Sequence, residues 1–358
     1  MSDKLKNIVV VVSFSLIIFG FFFLNLISPD KDISTSERRN LKLFPKFDLK
    51  KVINGEFFKE FDEYSMDQFY RREDFRNLKI KLDLLTLGNY KEMSIYNSYI
   101  YEILYPLNEK SVLNLTSKIN KIKELYLNDS NKIYFSLIPD KNYYIENSLK
   151  LNYDKMVSLY KNNVSGEYID LFKVLNLDDY YKSDTHWKEE RLEKVAEKLG
   201  KVLEVTLDNN YNLEEVTEFN GVYGSRLILK GELDKIVTVH NEYIDEALVT
   251  DLVTNKQMNI YDKKKISSLD KYDIYLDGAN SLIKIFNPLS NNNRKLIIFR
   301  DSYSSSLAPL LISGYQEIIL VDTRYISPKI LRNYIDFNGA DILFLYGVLM
   351  ANDSYSIR

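Results

Sequence analysis

The chain has no cysteine. That excludes disulfides, thiolate metal sites, a cysteine nucleophile and lipid attachment through an N-terminal cysteine. Histidine is almost as scarce: His186 and His240 are the only imidazoles among 358 residues. Base-assisted chemistry near neutral pH therefore has two candidates. A zinc site would need mostly carboxylates, and no metal site is expected. Glycine-rich phosphate loops are missing, so a nucleotide-dependent mechanism has no support and no cofactor is expected. No basic stripe is present. Lys and Arg are dispersed and the net charge is −3, which argues against a nucleic-acid partner. No internal repeat or low-complexity block is present.

One long apolar run is there. Residues 8–27 carry no charge, and Lys4 and Lys6 precede them. About 20 apolar helical residues span a hydrocarbon core. Lysines before the run predict the N-terminus inside and the body outside. A cleaved signal peptide is the rival reading. It would need a shorter run and a small-x-small site, which Leu24-Asn25-Leu26-Ile27-Ser28-Pro29 does not offer. Residues 1–29 are therefore expected to be an uncleaved anchor, and the protein a single-pass membrane protein with an extracytoplasmic body.

Residues 30–98 are expected to form a linker and a helical segment that packs on a catalytic domain. Residues 30–40 are polar and read as the linker. Residues 41–47 follow as an extended piece restrained by Pro45. Phe57, Phe58, Phe61, Tyr64, Phe69 and Phe75 recur among charged residues, a pattern of amphipathic helices covering a core. Gly88-Asn89 breaks the helical stretch.

From residue 99 to the end an α/β rhythm predicts a mostly parallel sheet with helices on both faces. Strands are expected at 99–104, 132–138, 168–171, 295–299, 317–321 and 341–346. Helices are expected at 109–127, 151–161, 187–199, 304–312 and 327–334. Residues 201–290 lack the rhythm and read as a β-rich insertion.

Two short motifs supply the chemistry. The apolar run 295–299 leads into Arg300-Asp301-Ser302-Tyr303, and a helix is expected at once. Ser302 then sits at the C-terminal end of a strand and the N-terminus of a helix. Ligands bind at that edge of open α/β sheets, and the free N–H groups there suit a developing oxyanion. A bland alternative is that Ser302 or Ser304 only caps the helix. The second motif is Ser183-Asp184-Thr185-His186-Trp187. In extended backbone, residues two apart point the same way, so the Asp184 carboxylate can hold the His186 imidazole. A serine hydroxyl needs such a base to become nucleophilic. The bland alternative makes Asp184 a helix cap and His186 a helix-start residue. Trp187 is expected to root the loop in the core. His240, in an expected strand, is read as structural.

Taken together, the motifs resemble the DHHW-type bacterial proteins. These are similar to the alginate O-acetyltransferase group, which carries a permuted SGNH-hydrolase-like domain. The likeness runs through residues 36–47, 180–187, Phe219-Asn220-Gly221-Val222-Tyr223-Gly224, 300–303 and Val321-Asp322-Thr323-Arg324. The resemblance implies that Asp184 orients, His186 is the base and Ser302 the nucleophile. It implies a substrate-binding place for Arg324, whose bland alternative is a surface ion pair. It further implies an O-acetyltransferase or acetylesterase acting on a cell-surface or exopolysaccharide glycan, served by a membrane-embedded acyltransferase as acetyl donor. Two departures stand out. Thr185 replaces the first His of the Asp-His-His-Trp pattern and is expected to point away. Arg300 stands where glycine often precedes Asp-Ser, and would narrow the pocket or alter the oxyanion hole. Gly221, Gly224 and Asn352 are the candidates for a second oxyanion donor. The competing readings are a glycan-binding or assembly protein with a decayed site, and an esterase acting on lipids or small esters.

Overall fold

The computed structural model describes residues 2–146, 148–228 and 233–358. The chain forms two compact units, residues 1–90 with 225–229, and residues 91–224 with 230–358.

The first unit opens on helix α1 (Asp3–Ile27), 25 residues long. The Ser2 hydroxyl accepts the Leu5 N–H at its start. Its mean hydropathy reaches 2.6 and none of that stretch is buried, so α1 is long and apolar enough to cross a membrane. Residues 30–40 are not a free linker. Ile33–Ser34 pairs antiparallel with Arg39–Asn40, because Asp67 takes both guanidinium nitrogens of Arg39 at 2.5 and 2.7 Å and the Lys42 N–H at 2.9 Å. Helices α2 (Leu49–Ile53), α3 (Glu56–Asp67) and α4 (Arg72–Leu87) follow. Helix α4 stops at Gly88, whose φ of +75° suits glycine. The aromatic face expected to cover a core is largely open: Phe58, Phe61, Phe69 and Phe75 are all exposed.

The second unit is built on an eight-stranded sheet. In chain order its strands are β1 (Lys132–Ile138), β2 (Glu167–Tyr168), β3 (Leu248–Asp251), β4 (Lys256–Met258), β5 (Leu282–Phe286), β6 (Lys295–Arg300), β7 (Glu317–Val321) and β8 (Asp341–Gly347). The spatial order is β4-β3-β5-β7-β6-β8-β1-β2. Strands β7, β6, β8, β1 and β2 run parallel, while β3, β4 and β5 add antiparallel to that edge. Three strands of the stretch 201–290 thus extend the central sheet. Two more, Asn212–Phe219 and Asp234–His240, pair with each other. Hairpin connections rather than crossover helices explain why the α/β rhythm fades there.

The parallel strands are apolar at nearly every position because both faces are covered. Leu296, Ile298, Leu343 and Leu345 face one core, with Leu307 and Leu311 of helix α8 (Ser304–Leu311) and Val195 and Leu199 of helix α7 (Glu193–Val202). Their neighbours Ile297, Phe299, Ile342 and Phe344 face the other, with Ile119 and Ile122 of helix α5 (Glu109–Tyr126) and Met156 of helix α6 (Tyr153–Asn163). The helix expected from residue 187 starts later, with a 3-10 turn at Glu189–Arg191 before α7. Residues 180–187 are held as a bridged loop instead: Tyr180 pairs with Trp187, and the Lys188 N–H reaches Asp179 O at 2.7 Å. The strand expected at 168–171 ends at Tyr168, because the Asp170 carboxylate accepts the Phe172 N–H and turns the chain. Residues 328–333 form a 3-10 rather than an α-helix.

Candidate active site

Strand β6 lies between β7 and β8, and the chain leaves β7 to cross to the far side of β6. The end of β6 is therefore the place where the connections diverge, the usual position of a ligand crevice. Asp301 ends the strand. Its buried carboxylate accepts the Tyr303 N–H at 3.1 Å and the Gly347 N–H, at the end of β8, at 2.7 Å. Ser302 is left half-buried between this anchor and the first turn of α8.

Ser302 Oγ lies 2.8 Å from His186 Nε2. On the other side of the ring, His186 Nδ1 lies 2.6 Å from Asp184 Oδ1. The structure thus joins the three residues singled out from two distant motifs into one hydrogen-bonded chain. Helix α8 has no side-chain cap and takes Tyr303 as its N-cap residue, so the Ser302 hydroxyl is not a helix cap. Asp184 also accepts the His186 N–H at 3.0 Å and, through Oδ2, the Val222 N–H at 2.8 Å. Burial alone would raise this carboxyl, but the imidazole charge and these three bonds hold it well below the usual carboxylate range.

The loop bearing Asp184 and His186 is fixed from several sides. Asp234 accepts the N–H groups of Lys182 and Ser183 and the Ser183 hydroxyl at 2.6–2.9 Å. Ser183 Oγ in turn accepts the Gly221 N–H at 2.9 Å. Gly221 passes so close to Asp184 that a Cβ there would sit 2.4 Å from its Cβ and 2.6 Å from its Cα. Lys141 is buried beneath the loop. Its Nζ donates to the carbonyls of Asp184, Tyr181 and Lys182 at 2.7, 3.0 and 3.2 Å. Burial pushes this ammonium down to about 7, against the pull of Asp184, Asp234 and Asp140. Trp187 is fully buried and its indole N–H reaches Tyr303 O and Ser306 Oγ, both at 3.0 Å. It roots the loop in the core as expected.

The Tyr272 ring lies flat on the His186 imidazole, with centroids 3.7 Å apart and planes 7° from parallel. Its hydroxyl lies 2.8 Å from Ser306 Oγ. This restricts the imidazole to the plane that links Asp184 to Ser302, and offers a π face to an imidazolium.

Thr185 takes no part in the chain; its carbonyl accepts the Tyr303 hydroxyl at 2.8 Å. Arg300 is buried and donates to Ser305 Oγ at 2.7 Å, Asp301 O at 3.3 Å and Asn280 O at 3.4 Å. Its Nε meets no partner among the described residues. Arg324 grips Asp322 through Nε at 2.8 Å and Nη2 at 2.5 Å. The three oxyanion candidates are otherwise engaged. Gly221 N–H and Gly224 N–H both donate to Ser183, and Asn352 bonds the Asn108 N–H and Pro106 O. His240 lies 2.7 Å from Asp245 and 2.9 Å from Thr238, outside the site. Sequence reasoning missed Lys141, Asp234 and Tyr272. Lys141 follows the C-terminal end of β1, where the sheet-edge rule could have flagged it. Among 28 tyrosines, nothing marks Tyr272.

No family profile and no curated protein sequence matches the chain. Solved structures do. A DHHW family protein from Eubacterium siraeum superposes with a TM-score of 0.62 at 18% identity, over 74% of this chain and 92% of that one. The chain shares the DHHW fold. Bacillus cereus PatB1 follows with a TM-score of 0.57 at 14% identity, over 72% of this chain and 96% of that one. PatB1 with a sulfonyl adduct matches equally, at 15% identity and over 97% of its length. In this DHHW-fold chain the α/β sheet and flanking helices expected from the sequence are present, and the Asp-x-His-Trp loop meets the Asp-Ser turn at the C-terminal edge of the parallel strands.

Proposed function

We propose that this chain is a membrane-anchored serine acyltransferase of the cell exterior, an O-acetyltransferase or acetylesterase acting on a cell-surface or exopolysaccharide glycan. The observation that carries the reading is the unbroken Asp184–His186–Ser302 hydrogen-bond chain, with a Ser302 hydroxyl that caps nothing. Ser302 Oγ attacks the acetyl carbonyl and its proton passes to His186 Nε2. Asp184, kept ionised, stabilises the imidazolium through Nδ1. As the tetrahedral intermediate collapses, the donor oxygen takes the proton from Nε2 and leaves acetyl-Ser302. A glycan hydroxyl, or water, then loses its proton to His186 and takes the acetyl group, and Nε2 returns that proton to the departing Ser302 Oγ. The N-terminus of α8, beside Ser302, is proposed to stabilise the charge that develops on the carbonyl oxygen. The donor reading, a membrane-embedded acyltransferase partner, rests on the family resemblance. The anchor reading rests on α1 and on Lys4 and Lys6 before its apolar run. Arg324 is proposed to meet substrate through Nη1, which its grip on Asp322 leaves open.

The test is p-nitrophenyl acetate with the detergent-solubilised chain, read by hydrolysis and by mass spectrometry of the Ser302 peptide. An acetyl adduct on Ser302 that disappears in His186→Ala is expected, and Ser302→Ala is expected to lose at least about 1000-fold in rate. Full turnover by folded Ser302→Ala would remove Ser302 as nucleophile. A phenylmethylsulfonyl fluoride probe, chosen because PatB1 has been solved with a sulfonyl adduct, should label the same residue.

A further inference from the structure

The last turns of α1 are not bare. The Phe21 ring stacks on Phe69 with centroids 5.4 Å apart and touches Phe75 at 5.8 Å. Asn25 Oδ1 accepts the Tyr70 N–H at 2.6 Å. The Tyr64 hydroxyl donates to Asp30 at 3.0 Å, and Gln68 holds the backbone of Lys31 and Lys42 at 2.9 Å. The corner between α3 and α4 is therefore fixed to the end of α1.

That fixation sets a depth. Phe21 lies six residues before Ile27, about 9 Å along the helix axis. If residues 8–27 fill a hydrocarbon core of about 30 Å, Phe21 sits about 9 Å inside its edge. Whatever stacks on Phe21 shares that depth. Amphipathic segments that lie in a membrane interface bury their apolar face about 5–10 Å, so Phe69 and Phe75 fall in the expected layer.

The exposed residues agree. A groove of about 880 Å³ opens between α1, α3 and α4, lined by Phe22, Leu26, Phe44, Phe61, Met66 and Phe75. Met66 is 64% exposed. On α4, Phe75, Leu78, Leu82 and Leu85 recur every three or four residues, one face of a helix, and all are exposed, Leu85 at 83%. Soluble surfaces seldom carry so continuous an apolar face. Arg71 and Arg72 at the start of α4 and Lys79 on the groove rim are paired with Asp74, Glu37 and Asp83.

We propose that the α3–α4 corner is seated in the leaflet at the C-terminal end of α1, with phospholipid acyl chains filling the groove. The occupant is the bilayer itself, because the groove is continuous with the helix that enters it. The proposal rests on the anchor reading above.

The chain has no cysteine, so single nitroxide labels can be placed on the full chain in phosphatidylcholine–phosphatidylglycerol nanodiscs. Labels go at Met66→Cys and Leu78→Cys, with Ile17→Cys inside α1 and Asn338→Cys on the second unit as references. All four positions are exposed, so substitution leaves packing intact. Collision with oxygen is compared with collision with a nickel chelate. The expected result is an oxygen-to-nickel ratio at Met66 and Leu78 several-fold above that at Asn338 and of the same sense as at Ile17. Lipid-like behaviour at Ile17 with water-like behaviour at Met66 and Leu78 overturns the seated corner and leaves the anchor standing. Water-like behaviour at Ile17 overturns both. Labels at Met66 shielded from both probes, with dipolar broadening between them, overturn the lipid occupant in favour of a second copy.

Discussion

Among single side chains, the site depends on which hydrogen-bonding groups are already committed. Asp184 accepts three bonds, so its carboxylate cannot turn away from His186. Tyr272 removes the remaining freedom of the imidazole by covering one face. Tyr272→Leu is expected to slow formation of the acyl enzyme about tenfold, or about 1.4 kcal/mol. Tyr272→Phe keeps the ring and should stay within roughly threefold of wild type. Stopped-flow release of p-nitrophenol measures both; equal losses would mean that the hydroxyl, not the ring face, matters. Lys141 works one step further back. Three carbonyls receive its three N–H groups, and Lys141→Met would strand them, at about 1–3 kcal/mol. The buried amine titrates near 7 against 10.5 for a free lysine. Between these values the unfolded chain binds the extra proton, so wild-type stability should rise with pH relative to Lys141→Met. Urea unfolding of both proteins at about pH 7 and about pH 9 reads that difference. A gap unchanged between the two pH values would mean that Lys141 stays protonated throughout.

At the scale of elements, the geometry of the Asp184–His186–Ser302 chain belongs to loops held by the ends of strands. β6 delivers Ser302, and β8 steadies the turn through Gly347 and Asp301. The loop 180–187 is clamped between Trp187 in the core, Asp234 and the turn at Gly221. That turn is where a methyl group does most harm. Gly221→Ala brings a Cβ within 2.6 Å of the Asp184 backbone, so one of the two segments must move. The expected cost is about 1–3 kcal/mol of stability. Acyl-enzyme formation should fall by more than that loss of folded protein explains, because Asp184 moves with the loop. Thermal unfolding and burst kinetics on the same sample separate the two effects; a stability loss with normal kinetics would place Gly221 outside the site's geometry.

For the whole molecule, the two units ask for different surroundings. The second has a sheet with both faces covered and side chains typical of an aqueous fold. The first exposes an apolar helix and an apolar corner. An uncleaved anchor predicts that intact mass spectrometry of membrane-extracted protein finds the complete chain, α1 included. A species beginning near Ser28 would instead make α1 a signal sequence and leave residues 28–358 as the functional form.

Much of this was legible from residues alone. The apolar run of α1 needs only its length and lack of charge. The strands β1, β6, β7 and β8 announce themselves because a doubly covered strand must be apolar throughout. The Asp184-x-His186 spacing and the position of Ser302 after an apolar strand marked the site, since two histidines left little choice of base. Tertiary structure decided the rest. Residues 248–286 join the central sheet as antiparallel strands, and short antiparallel edge strands carry no strong periodicity. Lys141, Asp234 and Tyr272 reach the site from 40 or more residues away along the chain, through contacts no local pattern encodes. Arg300 and the oxyanion candidates turned on the direction of one side chain or one N–H, which depends on neighbours brought close only by folding. The aromatic face of α3 and α4 has the period of a core helix, and only the tertiary structure shows it to be exposed.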